Sequence, residues 1–366
     1  MDRSEYNFKN LETKYGGFLA PSFVVTIGSV KIDSSRVPVS SLSVDIELST
    51  AGGCRFVIES LYDYENRKWA NDLLDTIEVG KVIIIEAGYL RREEVFYGFV
   101  DDFSIEYSAN AAPRLLVSGI DAKGYLMNIK GQRFMSEKST REVVRRIFNE
   151  CIQHKYAKTS TVGNITDYGA QLIKPEVNYY KFLSHIAEIH RMQFFVVDGE
   201  LIFDDLLGFT RPVLTLTLGV SLLSFSKTVS LKKQIGKFEV HGIHPETKKA
   251  INGEADSTSI ASTTGSEASK LAPGFDSIVE KENSPFVSTP EECNQLAQAR
   301  FDSIAINFVI CKGQCIGIPE IIPGRYIRVQ NIDRRTNNIF FITKVTHDYS
   351  SEQGYFTSFE AKGAKS

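Results

Sequence analysis

Ile77-Glu-Val-Gly80-Lys81-Val-Ile-Ile-Ile-Glu86 and Ile321-Ile-Pro-Gly324-Arg325-Tyr-Ile-Arg-Val-Gln330 are two writings of one pattern, 244 residues apart. Each sets an isoleucine ahead of a glycine, a basic residue behind it, and then an apolar strand. Fifteen residues after each glycine a second strand opens. It reads Val95-Phe-Tyr-Gly-Phe-Val-Asp-Asp-Phe-Ser-Ile-Glu-Tyr107 in the first copy and Ile339-Phe-Phe-Ile-Thr-Lys-Val-Thr-His-Asp-Tyr349 in the second. Self-similarity at a fixed separation implies one β-unit used twice. Such a chain can present two similar surfaces to symmetric neighbours. The copies differ in detail: Pro323 stands for Val79, and Thr343 and Lys344 stand for Phe99 and Val100.

Outward from the first copy the text is strand after strand. Segments 23–28, 40–50, 54–61, 81–88, 95–107 and 114–121 are rich in β-branched and aromatic residues, with Gly, Asn or Pro breaks between them. Strands at this short spacing indicate a barrel or a sandwich. Residues 63–74 are expected to form a short crossing helix. Residues 1–21 are polar and read as an arm.

The character changes at Glu137. Ser139-Thr-Arg-Glu142 is a capping box, and Val143, Val144, Ile147, Phe148, Cys151 and Ile152 follow at helical spacing. A second helix is expected from Asn178, with Phe182, Leu183, Ile186 and Ile189 inward. Asp198-Gly199 between two apolar runs predicts a type I′ hairpin. Residues 137–211 therefore read as a small α/β unit between two β-regions.

Strands resume at Val213 and run to Gly253. The Ser/Thr/Ala/Gly-rich stretch that follows buries little by composition, and 254–288 is expected to be a mobile loop. Thr289-Pro-Glu-Glu292 starts a further helix carrying Leu296, Ala297, Phe301 and Ile304. The second copy of the repeat closes the chain.

At 366 residues with 42% apolar content, two or three domains with real cores are expected. A net charge of −3 gives no basic stripe for nucleic acid. No apolar run reaches 18 residues, so no transmembrane helix is expected, and the charged N-terminus does not read as a signal peptide. Five cysteines, an odd count in such a chain, do not read as a disulfide framework.

The candidate chemical residues read as structural. Cys311-Lys-Gly-Gln-Cys315 is half a zinc site at most, because a tetrahedral site takes four ligands and no second cysteine pair exists. His347 offers itself as a further ligand, but the spacing gives no support. His185 and His190 lie five apart on a helix and face different sides. His241 and His244 with Glu246 read as a solvated turn. Asp101 and Asp102, adjacent on a strand, point to opposite faces. No nucleophile elbow, zinc helix, phosphate loop or dinucleotide fingerprint is present. No catalytic, cofactor-binding or metal-binding residue is assigned, no cofactor is expected, and the chain is expected not to be an enzyme.

Four ordered stretches carry a resemblance. They are Val79-Gly-Lys-Val-Ile-Ile-Ile-Glu-Ala-Gly88 with Phe96-Tyr-Gly98-Phe-Val100; Val117-Ser-Gly-Ile-Asp121; Asn178-Tyr-Tyr-Lys-Phe-Leu183 through Asp198-Gly199-Glu-Leu-Ile-Phe203; and Gly317-Ile-Pro-Glu-Ile-Ile-Pro-Gly324 with Val345-Thr-His347 and Gly354-Tyr355-Phe-Thr357. Together the chain resembles the phage late control gene D family. That family includes the hub of T4-type baseplates and the N-terminal part of VgrG proteins of contractile injection systems.

The resemblance implies a β-rich α+β fold: two tandem tube-like split β-barrels, 22–136 and 212–366, with the α/β domain 137–211 inserted between them. It implies a homotrimer whose six barrels form a pseudo-sixfold ring, joining a hexameric tail tube to a trimeric spike. The differences between the two copies are expected to mark where that ring stays threefold. The implied partners are the tube or its initiator, a spike, and other baseplate proteins, without sequence-specific nucleic acid or membrane insertion. Because the sequence stops at Ser366, the spike is expected to be a separate chain. Assembly in a bacterial cytoplasm and a place in a virion or extracellular contractile particle follow. Segments 30–38, 89–94 and 333–338 are candidate contacts with tube or spike.

Two other readings stand beside this one. A secreted glycan- or cell-wall-binding β-barrel module would need exposed aromatic platforms, and the one tryptophan is Trp69. An enzyme would place its site in the α/β unit around His185, Glu188 and His190.

Overall fold

The computed structural model describes residues 3–33, 39–59, 61–69, 74, 77–130, 139–165, 177–244, 246–285 and 287–366. Helix α1 (Phe8–Lys14) leads. It is followed by β1 (Ser22–Ile27), β2 (Val30–Asp33), β3 (Val39–Glu47), β4 (Gly53–Glu59), the two-residue β5 (Tyr62–Asp63) and β6 (Lys68–Trp69), β7 (Val82–Gly88), β8 (Arg92–Ser108) and β9 (Ala111–Ile120). The middle of the chain gives α2 (Ala122–Asn128), α3 (Thr140–Gln153), β10 (Thr159–Val162), α4 (Tyr179–Ile189), β11 (Gln193–Val197) and β12 (Glu200–Asp204). The rest is β13 (Pro212–Thr217), β14 (Leu222–Val229), β15 (Lys237–Ile243), β16 (Ala250–Ala255), α5 (Ala268–Leu271), β17 (Val279–Asn283), α6 (Pro290–Ala305), β18 (Val309–Ile316), β19 (Tyr326–Gln330), β20 (Asn338–Ser350) and β21 (Gly354–Gly363).

The fold is β-rich, and among the described residues thirteen of its strands form one sheet that runs through both halves. Its path is β14-β18-β21-β20-β3-β4-β9-β8-β7-β1-β2, with β19 joining β20 to β13 off that path. Period-two alternation explains why these segments are strands. In β3, Leu42, Val44 and Ile46 are buried while Ser43, Asp45 and Glu47 are only half-buried. Each such aliphatic side chain contributes roughly 1.5–3 kcal/mol on full burial. The resulting core is shared: Val25, Phe56, Ile85 and Val117 from the first half lie in one cluster with Val309, Ile327, Phe340 and Phe359 from the second.

The α/β unit has its own core under the three-stranded sheet β10-β12-β11. Ser139 caps α3 through its side-chain oxygen, which accepts from Glu142 N at 3.2 Å. The Asp198-Gly199 turn has both residues at positive φ (49° and 74°) and joins antiparallel β11 and β12, as its dipeptide predicts. Ala122 and Leu126 of α2 belong to this core too, so it reaches back before the expected start at 137.

Several expectations are corrected. Residues 62–69 are the small β5–β6 hairpin, not a helix; of the remainder to 74, residues 70–73 lie outside the described residues. The run from Val213 to Gly253 divides between two sheets. β13 and β14 join the large one, whereas β15 sits between β16 and β17 in a three-stranded sheet under α6 with a separate core. Segment 254–288 carries α5, β17 and a 3-10 turn at Phe275–Ser277. Its Ser/Thr-rich start is pinned by the buried Asp302, whose carboxylate accepts from Thr258 Oγ1 at 2.8 Å, Ser259 N at 2.9 Å and Ser259 Oγ at 2.5 Å. Composition hid this, because the partner lies more than forty residues away.

The polar arm is also tied down. Leu11 and Tyr15 are buried in the shared core. Tyr6 N donates to Val213 O at 2.8 Å. Lys14 Nζ bridges Glu93 at 2.7 Å and Glu320 at 2.8 Å, one carboxylate from each half of the chain.

Candidate assembly surface

The duplication seen in the sequence extends over six strands. β1, β3, β4, β7, β8 and β9 recur as β13, β14, β18, β19, β20 and β21, in the same chain order and with the same neighbours. Only the first pairing differs, β1 being antiparallel to β7 and β13 parallel to β19. Register fixes the equivalences residue by residue. Cys54 lies opposite Gly119, and Cys311 opposite Ala361, so the two cysteines hold one place. Arg55 and Lys312 hold the next. A Cβ on Gly119 would stand 2.7 Å from Cys54 Sγ, which is why a small residue faces the thiol.

The glycines that opened the comparison do the same work in each copy. Gly80 N donates to Val100 O at 2.8 Å, and Gly324 N to Ile342 O at 2.9 Å. Both have left-handed backbones, φ 85° and 77°. Directly after the acceptor each long strand carries a bulge against its next neighbour, between Val100 and Asp102 in β8 and between Ile342 and Lys344 in β20. Structurally, therefore, Phe341 and Ile342 stand for Phe99 and Val100. The expected match of Thr343 and Lys344 is off by two, because the second hairpin is two residues shorter. The surroundings differ as well. Val79, beside Gly80, is 65% exposed, while Gly324 packs against Leu206 and Phe195 of the α/β unit.

Beyond its bulge β20 leaves β19 and pairs antiparallel with β3, from Lys344 opposite Glu47 to Ser350 opposite Ser41. This seam joins the two halves. Its inner face is Val345, His347 and Tyr349 against Leu42, Val44 and Ile46. Its outer face is polar: Thr346 Oγ1 donates to Asp45 at 2.7 Å, Ser43 Oγ to Asp348 at 2.7 Å, and Lys344 pairs with Asp45 at 3.3 Å.

Among the described residues the equivalent stretches elsewhere have no such partner. Among the described residues, β14 pairs only with β18, and residues 102–108 of β8 pair only with β9. Phe103, Ile105 and Phe225 are left partly buried against the core, and Tyr107 and Val229 are exposed.

The sequence candidates fall apart in the fold. Cys311 and Cys315 are buried in strand β18, all five cysteines are free thiols, and burial pushes Cys311 up to about 12. No cluster of three or more His, Cys, Asp or Glu suited to a metal occurs among the described residues. His347 is buried in the seam, with Nδ1 2.9 Å from Tyr355 Oη and 3.2 Å from Thr357 Oγ1, and burial lowers it to about 4. His185 and Glu188 line an open trough of about 650 Å³ with Tyr180, Lys181, Lys344 and Lys362. Glu188 is committed to Arg300 at 2.8 Å. His190 lines a different depression with Arg191 and Asp205, so the proposed trio does not converge.

His241 Nδ1 meets Asn252 Oδ1 at 2.7 Å, and His244 Nδ1 accepts from Glu246 N and Thr247 N as a turn cap. Asp101 and Asp102 are exposed at the β8 bulge. Of the candidate contact loops, 30–33 is strand β2 and 34–38 lies outside the described residues. Residues 89–91 form a tight turn ahead of β8. Asp333 closes the 333–337 turn by accepting from Arg335 N at 2.7 Å and Thr336 N at 2.9 Å. Trp69 is buried, and its Nε1 donates to Tyr107 Oη at 3.2 Å.

Sequence reasoning missed the role of Asp121. It caps α2 by accepting from Lys123 N at 2.8 Å and fastens the β3–β4 turn by accepting from Gly52 N at 2.7 Å. The buried Lys123 ammonium then donates to the carbonyls of Glu47, Leu48 and Thr50 at 3.0, 3.2 and 2.6 Å. The Val117–Asp121 motif held the signal, an acid just ahead of a helix start.

A family model described as the Alg8 N-terminal domain matches residues 20–351. No curated protein matches the chain. Solved structures do. The 43 kDa tail protein of prophage MuSo2 from Shewanella oneidensis superposes with a TM-score of 0.68 at 14% identity, over 93% of this chain and 98% of that one. A tail protein from Neisseria meningitidis MC58 gives 0.66 at 13% identity, over 94% and 97%. An E. coli protein described as a type VI secretion component with structural similarity to the T4 tail proteins gp27 and gp5 gives 0.57 at 16% identity, over 92% and 76%. At such identities the likeness is one of fold: a β-rich tail-protein architecture with large antiparallel sheets.

Proposed function

This chain belongs to the Alg8 N-terminal domain family, and from that premise and its fold we propose that it is a structural hub of a phage tail or contractile injection particle. In this reading the duplicated six-strand units act as two tube-like split barrels. Three chains form a ring that is sixfold in outline and threefold in fact, seated between a hexameric tube and a trimeric spike. The chain works by assembly and not by turnover. Its place is in the particle, with other baseplate proteins as partners.

The observation that carries the reading is the repetition of six strands in one order within one chain. A single polypeptide with two like units can meet a sixfold neighbour with three copies, and ring contacts of this kind are heterologous. The scattered histidines and acids described above favour it over an enzyme, since no group of them converges on one site. The one tryptophan, Trp69, is buried, so a glycan platform would have to rest on tyrosines such as the exposed Tyr64 and Tyr107. Light scattering and electron microscopy of the purified chain, alone and with a tube or spike protein, test the proposal. A trimeric ring with pseudo-sixfold class averages is expected. A monomer under every condition would overturn it.

A further inference from the structure

At one end of each six-strand unit, β7 and β19 finish and turn over into β8 and β20. The first hairpin tip carries Arg91 and Arg92, the second Arg334 and Arg335, and all four are exposed. The acids nearest them are engaged elsewhere. Glu93 pairs with Lys14 at 2.7 Å and Glu94 with Lys158, while Asp333 accepts from the backbone of Arg335 and Thr336. Among the described residues the four guanidinium groups are left without an ion pair. Lys227 adds a cation at the second tip, its Nζ donating to Arg335 O at 2.9 Å.

Each tip also has bare aliphatic company. β1 runs antiparallel to β7, with Ser22 opposite Gly88, so the residues ahead of β1 arrive beside the first tip. There Leu19 is 85% and Leu90 78% exposed, and a Cβ on Gly16 would stand 2.4 Å from Leu90 Cδ1. β13 runs parallel to β19, with Thr217 opposite Gln330, so the residues behind β13 arrive beside the second tip. There Asn331 Nδ2 donates to Leu218 O at 3.0 Å, and Val220 is 64% and Leu223 50% exposed. The flanking strands run in opposite senses, yet each tip ends with two arginines and two exposed aliphatic side chains. At the other end the units are unlike: Gly80 sits beside the exposed Val79, and Gly324 lies under the α/β unit.

We propose that the two hairpin tips are one site written twice, which takes carboxylate-bearing, apolar-centred patches on neighbouring subunits of a sixfold protein. The inference rests on the ring reading above and deepens it, giving the tip end to the tube and the unlike end to the threefold partner. The fork of an arginine matches a carboxylate with two parallel hydrogen bonds. The chain as a whole carries a net charge of −3, so an acidic partner is steered toward these tips. Apolar contacts ringed by polar and arginine side chains are the ordinary make-up of a protein interface. A nucleic-acid backbone would use the arginines and leave the aliphatic side chains in water, which favours a protein. Three copies set six such tips around the ring, one for each subunit of a sixfold neighbour. A threefold neighbour would need only one tip per chain.

The test uses the full chain with the tube-forming protein of the same particle, in co-sedimentation and binding titrations, and with a short DNA duplex as a second probe. Three charge reversals are compared: Arg91→Glu with Arg92→Glu, Arg334→Glu with Arg335→Glu, and Lys232→Glu with Lys233→Glu, exposed lysines beyond the far end of β14. Exposed substitutions of this kind leave the fold in place. Each tip reversal is expected to weaken tube binding by about tenfold or more, to a similar degree, with the mass of the ring unchanged. The lysine pair is expected to bind as the parent does. Leu19→Ser with Leu223→Ser, which leaves every charge in place, is expected to weaken tube binding as well. Loss from one tip alone, from neither, or equally from the lysine pair overturns the site and leaves the ring reading standing. So does a duplex that binds and is released by the tip reversals while the tube still holds. A chain that stays monomeric under every condition overturns both.

Discussion

Gly324 N donates to Ile342 O across 2.9 Å, repeating in the second half of the chain the 2.8 Å bond from Gly80 N to Val100 O. The bonded residues lie 18 positions apart in this copy and 20 in the other, so the bond and the bulge behind it are kept while the hairpin tip varies. What differs is the company. Gly80 faces open space, and Gly324 faces the α/β unit.

That contrast predicts unequal costs for the same substitution. Gly80→Ala meets no atom within 4 Å and carries only the left-handed backbone cost, about 1–2 kcal/mol. In Gly324→Ala the new methyl would stand 2.5 Å from Leu206 Cδ1 and 3.0 Å from the Phe195 ring. Overpacking adds about 1–3 kcal/mol. Urea denaturation of the two variants should give the lower midpoint for Gly324→Ala, and equal midpoints would contradict the packing described.

His347 gives the seam an acid limb. Its folded value, near 4, lies below the usual imidazole value of about 6.5. Between those values the unfolded chain holds a proton that the folded chain refuses. The contribution is therefore whole above about pH 6.5 and is lost as the pH falls toward 4, on the order of 3 kcal/mol in all. His347→Gln keeps a polar group beside Tyr355 and Thr357 without titrating. Its stability measured across pH 4–7 should be flatter than that of the parent chain, and a parallel curve would sink the assignment.

Asp121→Ala removes a helix cap and the acceptor for Gly52 N at once, and leaves the buried Lys123 without its carboxylate neighbour. Loss of about 2–4 kcal/mol is expected. Asn at this position retains an acceptor and should recover part of it in thermal melts.

Asp302→Ala withdraws the acceptor shared by Thr258, Ser259, Gln298 and Arg191. The prediction is local: limited proteolysis should cut within 256–270 much faster than in the parent, while the large sheet stays intact. Unchanged cleavage would mean that the segment is held by something else.

Local grammar carried far in this sequence. Alternating Leu42, Val44 and Ile46, the Thr289 and Glu292 capping box, and the Asp198-Gly199 turn all fold as their patterns indicate, because each depends on neighbours a few residues away. The partners of β3 and β14 were not legible. Both are alternating strands, and nothing within Val39–Glu47 says that it will meet Lys344–Ser350. The split of 213–253 between two sheets was hidden for the same reason. One signal for the repeat lies in the text itself: Cys54-Arg55 and Cys311-Lys312 hold equivalent places in equivalent strands. Of the assembly surface, the repeat was visible in the text, but which edges stay open depends on pairing alone.

The join of β3 to β20 also sets a timetable. Val39–Glu47 leaves the ribosome about 300 residues before its partner, and at synthesis rates of about 5–20 residues per second it waits tens of seconds. Tyr15 waits about as long for Glu320, whose carboxylate accepts from its hydroxyl at 2.8 Å. During that interval β3 lacks the neighbour that Lys344–Ser350 later supplies. Exchange of β20 strands between neighbouring nascent chains is therefore the misassembly this join would be expected to invite.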